Sequence, residues 1–350
     1  MGIAATILLI VAALAAAGML YYSIGSALDA RKHPPPGKMI DAGGHRLHVL
    51  EMGSGSPTVI FEAALGATSR SWALVQPEIA KQARTAAYER AGFGWSNRGP
   101  QPRAASRIVA ELRTLLANAG LPPPYVFVGH SFGGLVVHLF AAKYPAEVAG
   151  LVLVDAPFPR DWIDLSPLNR RKLHGGAFLC RRAVWICRLG IARLVARLAA
   201  RGNRNSARST VTLLTYGMLR GHEDRLLAPL WRLPPEMRGP LQMFWTQAKF
   251  YEALASQMDS MPASCAEVEA AGSLGDLPLI VLTAGNPAPE RIAQQEAMAR
   301  LSTRGAHRIA SHPSHWIPLE EPALVIAAIR DVLAAVARSQ NEEATADKRG

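Results

Sequence analysis

"VFVGHSFGGLVV", residues 126–137, is the stretch on which the fold turns. An apolar run leads to Gly129, Ser131 stands among glycines, and apolar residues resume at Leu135. A sharp strand-to-helix turn needs small residues beside its apex, because larger side chains collide with the two elements it joins. Gly129, Gly133 and Gly134 meet that need around Ser131. Such a turn lifts the serine Oγ clear of a sheet edge and sets it at a helix N-terminus, where free backbone N–H groups stabilise developing negative charge. A bare GxSxG arises by chance in roughly one chain in eight of this length, so the flanking pattern must carry the weight. The bland alternative is a glycine-rich turn with an idle serine.

Strand and helix patterns alternate on both sides of this stretch. Before it come a hairpin, "MIDAGGHRLHVLEMG" (39–53), turning at Gly43 and Gly44, and a short apolar strand, "TVIFEA" (58–63). Helical spacing follows over "SWALVQPEIAKQA" (71–83), then a strand "TAAYE" (85–89) and a helix "ASRIVAELRTLLANAG" (105–120). After Ser131 come a helix to Tyr144 and the strand "GLVLVDA" (150–156). From 157 to 274 the chain reads as helical and arginine-rich, and strand character returns at "LPLIVLTAG" (277–285). A helix over 293–302, a strand "HRIA" (307–310) and a helix "PALVIAAIRDVLAAVAR" (322–338) complete the series, leaving 339–350 as a polar, disordered tail. Continuous apolar strands alternating with helices imply an α/β fold with a doubly wound, mostly parallel sheet covered on both faces. The core is expected over 39–156 and 275–338, with 157–274 as a helical cap inserted between two neighbouring strands.

With 350 residues, 49% of them hydrophobic, the chain is not disordered. Residues 3–22 form an apolar run about 30 Å long as a helix, and no charged side chain precedes Asp29. Residues 1–30 therefore read as an N-terminal transmembrane helix, a single-pass membrane anchor. The alternative is a signal peptide cleaved near "AAAG" (15–18). Arg31, Lys32 and Lys38 lean toward a cytoplasmic position for the domain beyond the helix, and 31–38, with its triple proline, reads as a stiff linker. Three cysteines without CxxC spacing leave no metal or redox motif, and Cys180 and Cys187, seven apart, share a helix face as core residues. No metal is expected.

The net charge of +11 is local: Ser166 to His222 contains eleven Arg and one Lys and no acidic residue. In "GIARLVARLAAR" (190–201), Arg193, Arg197 and Arg201 form one helical stripe, and Ile191, Leu194, Val195 and Leu198 form another. That basic stripe is expected either as a solvated cap face or as a contact for anionic lipid headgroups. Nucleic acid is not an expected partner, because no recognition module accompanies the arginines.

A serine hydroxyl needs a base brought near by the fold. His315, after the last strand, reaches the same carboxyl edge of the sheet as Ser131, with His312 as a competitor. His45, His48, His130 and His138 read as surface or packing residues. The imidazole needs a carboxylate to fix its tautomer. Asp155 ends "GLVLVDA" and is the preferred acid, Glu290 after the next strand is the alternative acid, and Asp161 is a further one. The oxyanion donors are expected to be the backbone N–H groups of Phe132 and Leu65.

These residues, with the motifs "FEAALGATSRSW", "YERAGFGWS", "GHSFGG", "GLVLVDA" and "SHWIPLEEPALVIAAI", identify the chain as similar to the α/β-hydrolase superfamily over roughly residues 39–338. The resemblance implies a serine hydrolase that needs no cofactor and acts on an ester, thioester, amide or related acyl bond. It favours His315 over His312, and relatives that carry the acid one strand early favour Asp155. Glu89 stands where relatives commonly have Asp. Family members with an aspartate nucleophile are disfavoured by Ser131. A membrane anchor and a cationic cap point to a hydrophobic or lipid-like acyl substrate. An acyltransferase or C–C bond hydrolase on the same triad, and a non-catalytic membrane-tethered binding protein, are the competing readings.

Overall fold

The computed structural model describes residues 2–199 and 232–347. Its centre is an eight-stranded sheet in the order β1-β2-β4-β3-β5-β6-β7-β8. β1 (Lys38–Asp41), β2 (Arg46–Met52) and β4 (Thr85–Tyr88) pair antiparallel; β3 (Thr58–Glu62), β5 (Tyr125–His130), β6 (Val148–Val154), β7 (Leu279–Thr283) and β8 (Gly305–Ile309) continue the sheet in parallel from β4.

Alternation along the strands builds two cores. Ile60, Phe127, Leu151, Leu153, Leu279 and Val281 face α3 (Ala105–Asn118) and α4 (Phe132–Lys143). Val59, Phe61, Val126, Val128, Val152 and Leu282 face the short α2 (Gln76–Ile79) and the C-terminal helix carrying Val325, Ile329 and Val332. With both faces covered, the central strands need no polar side, which is why they read as continuous apolar runs.

Between β6 and β7 lie α5 (Arg160–Ile163), α6 (Pro167–Arg188), α7 (Ile191–Ala199), α8 (Pro235–Trp245), α9 (Ala248–Asp259) and α10 (Met261–Glu269). The cap is fastened to the core by hydrogen bonds: Ala105 N–H donates to Ser264 Oγ (3.0 Å), Arg103 N–H to Ser256 Oγ (3.0 Å), and the Ser106 N–H and hydroxyl to Glu267. α11 (Pro289–Ala299), α12 (Ile317–Glu320) and α13 (Pro322–Asp347) follow β7 and β8.

Several expectations are corrected. The helical spacing at 71–83 yields only a 3₁₀ turn (Ser69–Trp72) and the four-residue α2; its apolar positions, Trp72, Val75 and Ile79, are buried against the sheet by a bent path. The residues expected as a disordered tail continue α13 to Asp347, consistent with the helix-forming Ala and Glu of "NEEATAD". His48, His130 and His138 are fully buried, so the surface half of their reading does not hold.

α1 (Ile3–Lys32) runs two residues into the expected linker, and its second half is packed on the cap. Gly18 lies against the Leu189 carbonyl oxygen, which would stand 2.4 Å from an added Cβ. Further along, Ala248 N–H donates to Tyr22 OH (3.2 Å), and Trp95 Nε1–H donates to the His33 carbonyl (2.8 Å).

Arg193 corrects the basic stripe: it is buried, with Nη1 on Asp29 Oδ2 at 2.5 Å and Nη2 toward Ser26 Oγ at 3.3 Å. Its acidic partner lies on another helix, which spacing within one helix cannot reveal. Arg197 remains exposed, and Arg201 lies outside the described residues. Arg193→Ala is expected to lower the unfolding free energy by about 1–3 kcal/mol, less than a fully buried pair would lose, because Asp29 is a quarter exposed. Thermal unfolding in detergent, with Asp29→Asn and the double variant closing a cycle, measures it.

Candidate active site

β5 delivers Ser131 to the carboxyl edge of the sheet, and the residue adopts φ 53°, ψ −122° before α4 begins. That conformation is strained for a side chain other than glycine and persists only where its surroundings enforce it. Ser131 N–H donates to Val154 O (2.8 Å), and Gly134 N–H returns to Ser131 O (2.8 Å). Phe132 N–H opens α4, among the first-turn groups that have no intrahelical acceptor.

The neighbouring strand β6 delivers Asp155, also at positive φ (45°). Its carboxylate accepts from His315 Nδ1–H at 2.5 Å, and its other oxygen lies 3.2 Å from Arg291 Nη2. Burial alone would raise the Asp155 carboxyl; the His315 hydrogen bond and charge, then the Arg291 guanidinium, outweigh burial and hold it well below the usual carboxylate range. With Nδ1–H committed to Asp155, the ring's Nε2 is left as the acceptor.

His315 is held from behind by His130, the residue before Ser131. His130 Nε2 lies 2.7 Å from the His315 carbonyl oxygen, and the two rings are 4.8 Å apart between centroids. The competing candidates are elsewhere. His312 is exposed, with Nδ1 accepting from Ser314 N–H. Glu290 is exposed in the first turn of α11, and Asp161 accepts from Gln294 Nε2 (3.1 Å).

Leu65 lies in the loop after β3. Arg90, buried, donates from Nη1 to Ala63 O and from Nη2 to Ala64 O, both at 2.6 Å, and pairs with Glu62, which also accepts from Tyr88 OH. In a trans peptide the N–H points opposite to the preceding carbonyl. With Ala64 O turned to Arg90, Leu65 N–H is directed away from Arg90. Glu89, the departure from the common Asp, spans Ser69 Oγ (3.0 Å) and Trp95 N–H (2.7 Å) and so ties this turn together.

Sequence reasoning missed Arg291, Arg90 and the backbone role of His130. Arg291 directly follows the alternative acid Glu290, and Arg90 lies inside the quoted "YERAGFGWS" motif; only the adjacency of His130 to Ser131 hinted at the third. Phe250 and Leu254 of α9 approach Gly66, and Trp316 packs on Ala63, Ala64 and Ala67, so apolar side chains border the loop after β3. Among the described residues no cluster of His, Cys, Asp and Glu fits a metal ion.

A profile of the alpha/beta hydrolase fold family matches residues 57–175. Uncharacterized protein YbdG of Bacillus subtilis is 27% identical over 143 residues, which is 40% of this chain and 44% of that protein. The aligned stretches span less than half the length of the first curated relatives. A thermophilic esterase from Thermogutta terrifontis shares the fold at TM-score 0.59 and 22% identity, covering 85% of this chain and 98% of that one. The epoxide hydrolase CorEH does so at TM-score 0.58 and 19% identity, covering 85% and 98%.

Among the described residues one carboxylate, that of Asp155, bonds to the His315 ring, so the two acid candidates should separate cleanly. Asp155→Asn is expected to slow nitrophenyl-ester hydrolysis by roughly 10³- to 10⁴-fold, whereas Glu290→Gln stays near wild type; parallel kcat measurements check both.

Proposed function

We propose that this chain, which belongs to the α/β-hydrolase superfamily, is a membrane-anchored serine hydrolase that cleaves an ester or related acyl bond of a hydrophobic substrate. The observation that supports this most is the 2.5 Å bond between His315 and Asp155 at the edge where β5 ends in Ser131. His315 Nε2 takes the Ser131 proton as Oγ attacks the acyl carbon. The resulting oxyanion is met by the Phe132 and Leu65 N–H groups, and Asp155 stabilises the imidazolium. The imidazolium returns the proton to the leaving group, giving an acyl-enzyme. Water, deprotonated by His315, then releases the carboxylic acid and restores Ser131.

The apolar side chains of Phe250, Leu254 and Trp316 around the site favour a hydrophobic acyl group over a charged one. The membrane assignment draws on α1, a helix long and apolar enough to cross a bilayer and exposed along that apolar window. Nothing in the proposed chemistry requires a metal or cofactor.

Fluorophosphonate labelling of the full-length chain is expected, with loss in Ser131→Ala; an intact wild-type chain that never labels overturns the proposal. Arg90→Lys keeps the charge but loses the fork on Ala63 and Ala64. It is expected to lower kcat for a nitrophenyl ester by roughly 10- to 100-fold, short of deleting an oxyanion donor outright, with KM little changed.

A further inference from the structure

Outside α1, six large apolar side chains are exposed among the described residues, and five of them, Leu168, Phe178, Trp185, Ile191 and Leu194, stand on α6 and α7. Trp185 is 61% exposed, Ile191 44% and Leu194 53%. From Ser166 to Ala199 the same stretch has no acidic residue. Its arginines stack on aromatic rings: Arg182 over Phe178 (5.6 Å), Arg188 over Trp185 (5.3 Å) and Arg197 over Tyr21 of α1 (5.2 Å). An aromatic ring beside a guanidinium suits a layer that is apolar on one side and anionic on the other.

The position of this surface is set by α1. Ile3 to Leu20, read as a helix, is about 27 Å long, close to the hydrocarbon thickness of a bilayer. At the end of that length the helix meets the turn between α6 and α7: Gly18 abuts Leu189, and Gly190 abuts Gly18 and Tyr21. A helix spanning the bilayer over Ile3–Leu20 therefore holds Leu189 and Gly190 at the hydrocarbon boundary. Trp185, Ile191 and Leu194 lie within about one turn of that point.

We propose that the α6–α7 turn is a second, peripheral membrane contact, with Trp185, Ile191 and Leu194 at the headgroup–acyl boundary and Arg188 and Arg197 on lipid phosphates. Arg188 also pairs with Glu252 (2.6 Å), which orients it from the cap side. The inference rests on reading α1 as a spanning helix and is independent of the chemistry at Ser131. It replaces the basic stripe read from sequence, since Arg193 is spent on Asp29.

The native cysteines described are all buried, so an environment-sensitive thiol fluorophore reports on introduced ones. Trp185→Cys, Leu194→Cys and, as a control on α13, Ala337→Cys are labelled in the full-length chain. Each is reconstituted in phosphatidylcholine vesicles containing phosphatidylglycerol. Probes at 185 and 194 are expected to shift to the blue, to be quenched by shallow nitroxide lipids and to resist iodide, with the reverse at 337. Iodide quenching at 185 and 194 equal to that at 337 overturns the proposal. Fluorophosphonate labelling of the same vesicles reads the hydrolase proposal separately, and carbonate extraction of the chain exposes a failure of the anchor reading.

Discussion

The site depends on how closely the backbone of α4 approaches the loop after β3. A Cβ on Gly133 would lie 2.5 Å from Glu62 O and 2.6 Å from Ala63 O, so a larger residue forces helix and loop apart. The contact keeps the start of α4 beside the segment 62–66, the arrangement that the proposed convergence of the Phe132 and Leu65 N–H groups on one oxygen requires. Arg90, whose guanidinium lies over the Phe132 ring of α4, donates to the Ala63 and Ala64 carbonyls of the same loop. Glycine and guanidinium meet the loop at one carbonyl, that of Ala63: the glycine permits the close approach, and the fork holds the two carbonyls in one direction.

The buried charges serve geometry more than net stability. A buried ion pair often returns little beyond its desolvation cost, while removing one partner leaves the other uncompensated. Glu62, Tyr88 and Arg90 form such a group under the oxyanion loop. Asp155, flanked by His315 and Arg291, forms another under the imidazole. Both are satisfied in one arrangement of the loops and penalised in others, which is the preorganisation that the proposed acyl transfer would require.

The features legible in the sequence and those hidden from it divide along a physical line. Local stereochemistry was legible: the glycines around Ser131, the hairpin at Gly43 and Gly44, and the continuous apolar strands each arise within one element at a time. The parallel character of the sheet was legible from the alternation of strands and helices, whereas its order, with β4 outside β3, was not. Partners from distant elements were not legible. Nothing near Arg193 in sequence names Asp29, 164 residues away, and nothing near Asp155 names Arg291, 136 residues on. Asp155 over Glu290 was open for the same reason: each follows an apolar strand, Asp155 directly after β6 and Glu290 in the first turn of α11 after β7, and nothing near either in sequence names the ring of His315, which bonds to Asp155.

α9 draws these parts together. Within it and at its start, Ala248 N–H reaches Tyr22 of the anchor helix, Glu252 takes Arg98 of the core and Arg188 of α6, and Phe250 and Leu254 overhang Gly66 beside the oxyanion loop. α1 is therefore joined to the loop after β3 through packed helices rather than through a flexible tether. A tethered domain samples many heights and orientations above a bilayer, whereas a domain packed on its own spanning helix takes one. If Ile3–Leu20 crosses the membrane, helical rise fixes where the α6–α7 turn sits, and the α6–α9 packing fixes where α9 sits relative to that turn. The orientation of the catalytic edge toward lipid is then a property of the fold, set before any substrate arrives.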